Sequence, residues 1–311
     1  MGRSLWVRPA VVMLATTLTG GTACSAARPT VNGARLHSRV VYQVEAGPRV
    51  PGAPGHAHVR DWLVSELTRL GARVELQRFT DTTLGRPLEL TNVIARFAAA
   101  KPGGGRRRLL LCAHYDTRPW CDRDPDPARR GDPLPGANDG ASGVAVLLEV
   151  AELLARRPAP CEIELAFFDG EDQGRADRPE EFSLGARGYA GRLTADRPSA
   201  GFLFDMVGDR DLGIYPEAHS AERAANLVDL VLEGARVVGA RGFHPGPRHR
   251  VVDDHIPLLE AGLPVVDIID FDYAAWHTHR DLPDLVSPES LAQVARVAVW
   301  LVYSSSLARK R

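Results

Sequence analysis

Carboxylate and imidazole side chains stand where the apolar runs of this 311-residue sequence end. His114 follows the run "RLLLCA", and Asp205 follows "SAGFLF". Glu171 and Asp172 come shortly after "CEIELAFF", and a further run leads to "WHTHRD" at 276–281. Imidazole nitrogen and carboxylate oxygen are the atoms with which proteins bind a divalent ion such as zinc. The pattern therefore predicts a metal centre.

Three residues of these types are candidates for the metal ligands themselves. Asp139, Asp172 and His277 could bind one ion and leave a fourth coordination position open, which is typical of catalytic rather than structural zinc sites. Each residue also has an ordinary interpretation. Asp139 could cap the helix that begins near Gly140. Asp172 could be a loop acid, and His277 a hydrogen-bonded surface histidine.

Glu171 stands directly beside the candidate ligand Asp172 in the segment "GEDQG". Neighbouring residues in a turn point apart, so one carboxylate can bind metal while the other moves a proton. A buried carboxylate near a cation has an adjusted pKa and is suited to general acid–base catalysis. The ordinary interpretation of Glu171 is a second solvated acid.

Helical and strand patterns alternate along the chain and must position these residues. Val59, Leu63 and Leu67 have helical spacing, with Gly71 as a stop. The segments "TNVIARF", "RLLLCA", "CEIELAFF", "SAGFLF" and "LPVVDIID" predict strands, and long apolar-periodic segments between or after them predict helices. The pattern indicates an α/β fold: a three-layer arrangement with a twisted, mostly parallel mixed β-sheet flanked by helices. In such sheets ligands bind beyond the carboxyl ends of the strands.

The bulk composition restricts the partners. Formal net charge is −1, so no overall field attracts nucleic acid. The first residues carry arginines, an apolar stretch from Ala10 to Leu18 and then small residues, which predicts a signal peptide at 1–27 and an exported, periplasmic or secreted protein. Cys24 allows a lipoprotein signal, and a lipid anchor there is the one membrane contact we expect. Residues 35–311 are expected to form a single catalytic domain.

Five motifs in chain order, "AHYDTRP", "GANDGASG", "FFDGEDQG", "LFDMVG" and "WHTHRD", resemble those of the zinc-dependent aminopeptidase superfamily and, within it, those of the glutaminyl cyclases of animals and their bacterial relatives. The resemblance covers nearly all of the chain beyond residue 35. It implies a zinc exopeptidase-like fold with one zinc ion per chain. The positions it assigns to zinc are Asp139, Asp172 and His277. It also implies a general acid/base at Glu171 and supporting carboxylates at Asp205 and Asp253.

The sequence departs from the animal cyclases at two positions. Asp172 stands where they have glutamate, and its shorter side chain still offers an oxygen to the metal. Asp267 stands where they have a histidine, after the motif "DDHIP". The supporting role that this histidine has in the animal cyclases is therefore not assigned to a residue here.

The residues do not by themselves separate a cyclase from an aminopeptidase. Aminopeptidases of this superfamily bind a second zinc through residues that match His114, Asp139 and Asp205, and all three types are present. By resemblance Asp253 reaches Asp205, and two carboxyls that close share a proton, which disfavours a second cation. The acids that precede the helix after "VVDD" could also be simple N-caps.

Trp276 directly before His277 favours the cyclase, because an indole there can form the wall of a small pocket for a flat amide side chain. We therefore expect a zinc-dependent glutaminyl-peptide cyclotransferase. It would convert the N-terminal glutamine of a peptide or protein to pyroglutamate and release ammonia, with the γ-amide polarised by zinc. The alternative is a zinc aminopeptidase in which Glu171 activates water. A third hypothesis is a peptide-binding protein without catalysis.

Overall fold

The structure is a computed structural model that describes residues 1–2, 30–101 and 107–304. The signal peptide predicted at 1–27, with Cys24, lies almost entirely outside the described residues. The chain divides into the units Met1–Thr30 and Val31–Arg311, and the second contains all elements discussed below. Among the described residues no helix combines the length and apolarity needed to cross a membrane.

Six strands of the described chain form one mixed sheet. They are β1 (Arg73–Asp81), β2 (Leu88–Phe97), β3 (Arg108–His114), β4 (Glu162–Phe168), β5 (Ala200–Asp205) and β6 (Val265–Ile269). Their order across the sheet is β1-β2-β4-β3-β5-β6. The first two neighbouring pairs are antiparallel and the other three are parallel. The parallel half directs the carboxyl ends of β3, β4, β5 and β6 to one edge.

The central strand β3 shows why the sheet is covered on both sides. Leu109 and Leu111 belong to one buried apolar cluster, whereas Leu110 and Cys112 between them belong to another. Alternating side chains point to opposite faces of a strand. Because the apolar residues from Leu109 to Cys112 are consecutive, both faces of the strand must be covered by a layer of helices.

Helices supply both layers. They are α1 (Gly33–Glu45), α2 (Pro54–Arg69), α3 (Ala141–Arg156), α4 (Leu184–Ala190), α5 (Ala218–Arg223), α6 (Ala225–Val238), α7 (His255–Glu260) and α8 (Pro288–Tyr303). Residues of α1, α2, α3, α6 and α8 pack into the larger apolar cluster, and those of α4 and α7 into the smaller one. The predicted three-layer α/β fold with a mixed sheet is confirmed.

Two helices were not predicted from the sequence. The face that α1 buries includes Arg39 and Gln43 as well as leucine and valine, because Arg39 pairs with buried Glu149 at 3.1 Å. Helix α4 is only seven residues long and contains two glycines. One of them, Gly185, lies so close to the backbone of Asp169 that a Cβ atom would approach the Asp169 oxygen to 2.4 Å.

Candidate active site

The parallel strands bring the predicted site residues to one cleft. His114 ends β3, Glu171 and Asp172 follow β4, and Asp205 ends β5. The cleft has a volume of about 250 Å³. Its lining includes the seven residues proposed for the single zinc ion, proton transfer and the pocket wall: Asp139, Glu171, Asp172, Asp205, Asp253, Trp276 and His277. His114, the possible ligand of a second zinc, is not among the lining residues.

Asp139, Asp172 and His277 converge from three separate loops and are all buried. One ligand atom from each lies within 4.8 Å of the other two. The Nε2 atom of His277 is 3.5 Å from Asp172 Oδ2 and 3.8 Å from Asp139 Oδ2. The surroundings of Asp172 Oδ2 show that these residues suit a cation. This oxygen is buried and has no hydrogen-bond partner among the described residues. An unpaired buried oxygen facing an imidazole nitrogen fits a metal ligand set.

The other half of the Asp172 carboxylate is held by an arginine that was not singled out in the sequence. Arg118 is almost fully buried and donates from Nη1 to Asp172 Oδ1 at 2.7 Å. Its Nε and Nη2 atoms donate to the two oxygens of Asp122 at 2.8 and 2.9 Å. The guanidinium also lies 5.2 Å from the ring centre of Trp120 and 5.5 Å from that of Phe182.

Asp122 connects the same arginine to the candidate ligand His277. Its Oδ1 atom lies 3.3 Å from His277 Nδ1, which leaves Nε2 directed at Asp139 and Asp172. Partial burial opposes ionisation, but His277 and Arg118 hold the pKa of Asp122 well below its ordinary value. An ionised carboxylate on the far nitrogen is how proteins orient a metal-binding histidine.

The turn that carries Asp139 is fixed by Asp281 of the "WHTHRD" motif. The Asp281 carboxylate accepts hydrogen bonds from the backbone N–H groups of Asn138 and Asp139 at 2.8 and 3.1 Å. The Tyr273 hydroxyl donates to it at 2.8 Å. The residue at the N-cap of α3 is Gly140, without a side-chain cap. Asp139 therefore faces the cleft instead of capping the helix.

Glu171 is buried beside the ligand group. The Ser183 hydroxyl approaches its Oε1 atom at 3.4 Å, and its backbone N–H donates to Asp116 at 3.1 Å. Burial and the neighbouring charge of Asp253 raise the pKa of Glu171 well above its ordinary value. A carboxyl group with a raised pKa can both accept and return a proton near neutral pH.

A second group of possible ligands shares Asp139. His114 Nε2 lies 3.2 Å from both Asp139 Oδ1 and Asp205 Oδ1. Burial raises the pKa of Asp205 even though His114 counteracts it, and burial and Asp205 together raise that of Asp253. The two carboxyls therefore disfavour simultaneous ionisation. Asp254, at the N-cap of α7, makes no side-chain cap.

Backbone conformation marks the same region. In the described chain the non-glycine residues with positive φ are Ser183, Met206 and His277. Met206 and His277 line the cleft, and the Ser183 hydroxyl approaches Glu171, which also lines it. A left-handed conformation costs an L-residue roughly 1–2 kcal/mol. Such strained residues cluster at functional sites. The sequence patterns did not predict these positive φ angles.

Trp276 forms one wall of the cleft. Its ring centre lies 4.1 Å from that of His277 and 4.8 Å from that of Phe271. The guanidinium carbon of Arg123 lies 4.7 Å from the Trp276 ring centre. The indole is thus packed beside the candidate ligand and partly open to the cleft.

Known proteins share this fold. Residues 92–302, which are more than half of the chain, match the family model for Peptidase family M28. The chain therefore belongs to peptidase family M28. One solved relative is a leucine aminopeptidase precursor from Bacteroides thetaiotaomicron, with a TM-score of 0.85 and 30% identity over 89% of this chain and 99% of that one.

Within the family, several of the similar proteins are glutaminyl cyclases. The glutaminyl-peptide cyclotransferase-like protein of Mus musculus is 30% identical over 81% of this chain and 71% of its own length. The glutaminyl cyclase of Bacteroides thetaiotaomicron, solved with N-acetylhistamine, has a TM-score of 0.84 and 30% identity over 89% of this chain and 99% of that one. The expected membership of the glutaminyl cyclase branch is confirmed.

Proposed function

We propose that the protein is a glutaminyl-peptide cyclotransferase, which converts the N-terminal glutamine of a peptide or protein to pyroglutamate and releases ammonia. One observation carries the proposal: Glu171, the candidate ligands and the indole of Trp276 line the same cleft. Its volume of about 250 Å³ is below the roughly 300–1,000 Å³ typical of drug-sized ligands. A cleft of that size suits one terminal residue. The similarity to glutaminyl cyclases supports the same function.

The metal in this proposal is one zinc ion held by Asp139, Asp172 and His277. The donor set of two carboxylates and one imidazole leaves a coordination position open, as in catalytic zinc sites. When bound, zinc supplies Lewis-acid polarisation of the γ-carbonyl of the substrate. Asp122 and Arg118 hold two of the three ligands in place by the contacts described above.

Glu171 moves the proton in the proposed reaction. It accepts a proton from the α-ammonium group of the substrate, and the freed amine attacks the γ-carbon of the same residue. Glu171 then gives this proton to the amide nitrogen, which leaves as ammonia, and the new ring nitrogen releases its second proton to solvent. Asp205 and Asp253 accept hydrogen bonds from the attacking nitrogen, and Trp276 packs against the flat amide. Because nucleophile and electrophile belong to one residue, positioning supplies much of the acceleration.

The runner-up is a zinc aminopeptidase. Two observations favour it: His114, Asp139 and Asp205 form a second possible metal group, and an aminopeptidase precursor is among the structural relatives. In that case Glu171 would activate water rather than carry the proton of an amine. The distinction concerns the product and not the fold.

The test is to incubate the zinc-loaded protein with Gln-Xaa-Xaa peptides and to weigh the products. A mass loss equal to ammonia with an intact chain supports the cyclase. Release of free glutamine supports the aminopeptidase and overturns the proposal. A peptide that binds but stays unchanged would identify a binding protein.

We extend the proposal to the location of the protein. Residues 1–27 act as an export signal, Cys24 is the site of any lipid anchor, and 35–311 is the catalytic domain that acts on periplasmic or secreted peptides. The apolar stretch from Ala10 to Leu18 supports the export signal. Mass spectrometry of the mature N-terminus from cells decides between cleavage, lipidation at Cys24 and an uncut chain.

A further inference from the structure

A group of buried ionisable side chains beside the cleft has no part in the proposed reaction apart from Asp253. Asp253 precedes α7, His255 begins that helix, and Asp267 lies in β6. Their side chains are at most 2% exposed, and one ligand atom from each lies within 4.8 Å of the other two. Asp253 lines the cleft, whereas the other two residues do not.

Several atoms of this group lack partners among the described residues. Asp253 Oδ1 accepts from the backbone N–H of Asp254, but Asp253 Oδ2 has no hydrogen-bond partner. Neither carboxylate oxygen of Asp267 has one either. A buried carboxylate without a donor is costly unless a cation or a proton compensates it.

The orientation of His255 favours the cation. Its Nε2 atom lies 3.1 Å from Glu217 Oε2, within ion-pair distance, and neither ring nitrogen makes a hydrogen bond with a described residue. Glu217 accepts from the backbone N–H groups of Ser220 and Val251 at 2.8 and 3.2 Å, so its carboxylate is ionised, and its negative charge favours the ring proton on the nearer nitrogen, Nε2. The unprotonated Nδ1 then faces Asp267. The same carboxylate–histidine pairing orients imidazoles that bind metal.

The spacing between Nδ1 and Asp267 distinguishes a metal from a proton. His255 Nδ1 lies 3.5 Å from Asp267 Oδ2, which is too long for an O–H···N hydrogen bond. Two ligand atoms that are each about 2.1 Å from a tetrahedral zinc ion lie roughly 3.4 Å apart. In the candidate active site, His277 Nε2 and Asp172 Oδ2 show the same 3.5 Å separation.

We propose that Asp253, His255 and Asp267 form a second metal site, which takes a divalent transition ion such as zinc. The mixed nitrogen and oxygen donors suit this class of ion better than magnesium or calcium. Glu217 orients the histidine from outside the ligand group. The ion fixes the start of α7 to β6 and thereby holds Asp253 at the cleft. This inference does not depend on the cyclase assignment.

Metal stoichiometry tests the proposal. The full chain is stripped with a chelator, dialysed against zinc, and the bound metal per chain is measured by mass spectrometry of the elements. Asp267→Asn and His277→Ala should each lose one equivalent, and the double variant should lose two. Asp272→Asn, which removes an exposed carboxylate that follows β6, should lose none. If Asp267→Asn keeps the full complement, the second site does not exist.

Two further measurements keep the result interpretable. If His114→Gln loses the second equivalent and Asp267→Asn does not, the ion belongs to the group shared with Asp139, and the proposal is overturned. If Asp267→Asn does not fold, crystals of the wild-type protein decide. Anomalous scattering at the zinc edge should give a peak between Asp253, His255 and Asp267. Without that peak the carboxyls carry protons instead. Ammonia release has no bearing on either outcome.

Discussion

Removal of the Asp122 carboxylate should weaken metal binding although Asp122 is not one of the three proposed ligands. Its oxygen lies 3.3 Å from His277 Nδ1 and keeps Nε2 directed at Asp139 and Asp172. It also places a negative charge near the ion. Loss of the histidine orientation and loss of the negative charge both lower the affinity for zinc, so the affinity should fall.

The size of the effect follows from the two contacts. Loss of such an outer partner typically costs about 10–100-fold in metal affinity, which is about 1.4–2.8 kcal/mol. Asp122→Asn keeps an oxygen that can accept from His277 and should be near the lower value. Asp122→Ala also loses the acceptor and leaves Arg118 with Asp172 alone, so it should be near the upper value. The Asp122 side chain is 32% exposed, and we expect both variants to fold.

Zinc competition with a chromogenic chelator at fixed pH measures the affinity. Asp132→Asn is the matched control, because it removes a carboxylate from the same loop that is 53% exposed and, within the described part of the chain, forms one ion pair, with Arg129 at 3.7 Å. The control should bind zinc like the wild type. If both Asp122 variants also do so, with an unchanged circular dichroism spectrum, the orienting role of Asp122 is refuted.

Three further outcomes are expected. Glu171→Gln should abolish ammonia release at unchanged metal content, and a metal-replete active variant would contradict the proton-transfer role. Trp276→Ala should raise KM for Gln-peptides more than it lowers kcat while metal is retained; an unchanged KM would remove the indole from the pocket. Burial opposes ionisation of Glu217, but contacts with His255 and the backbone N–H groups hold its pKa at about 2, below its ordinary 4.5. The stability that this carboxylate contributes is therefore complete above pH 4.5 and lost as the pH falls through 2. The Tm difference between wild type and Glu217→Gln should close over that range, and a constant difference would refute the assignment.

The sequence was sufficient to predict which candidate site residues lie at the ends of strands. His114, Asp172 and Asp205 follow apolar runs, and because parallel strands end at one edge their convergence is a consequence of topology. Asp139 and His277 required the additional pattern of the motifs around them. The general location of the site was thus predictable before any distance was known.

The residues that hold the ligands were not predictable in the same way. The segment 115–137 is rich in proline and aspartate, a composition typical of an exposed loop, yet Asp116, Thr117 and Arg118 are buried. Each finds a partner that is distant in sequence, such as Asp172 for Arg118 and the Arg49 backbone for the Thr117 hydroxyl. Burial of a polar residue depends on such partners, and periodicity within the segment contains no information about them.

The same contacts show how an aspartate at position 172 can present an oxygen to the proposed metal ion. Arg118 takes Oδ1 at 2.7 Å, while Oδ2 is left without a partner and faces His277. One oxygen of the carboxylate is therefore held by a guanidinium, and the other is available to the proposed metal ion. Arg118 is in turn fixed by both oxygens of Asp122, which also contacts His277. The position of the proposed ligand Asp172 is consequently set by a closed ring of contacts through Arg118, Asp122 and His277.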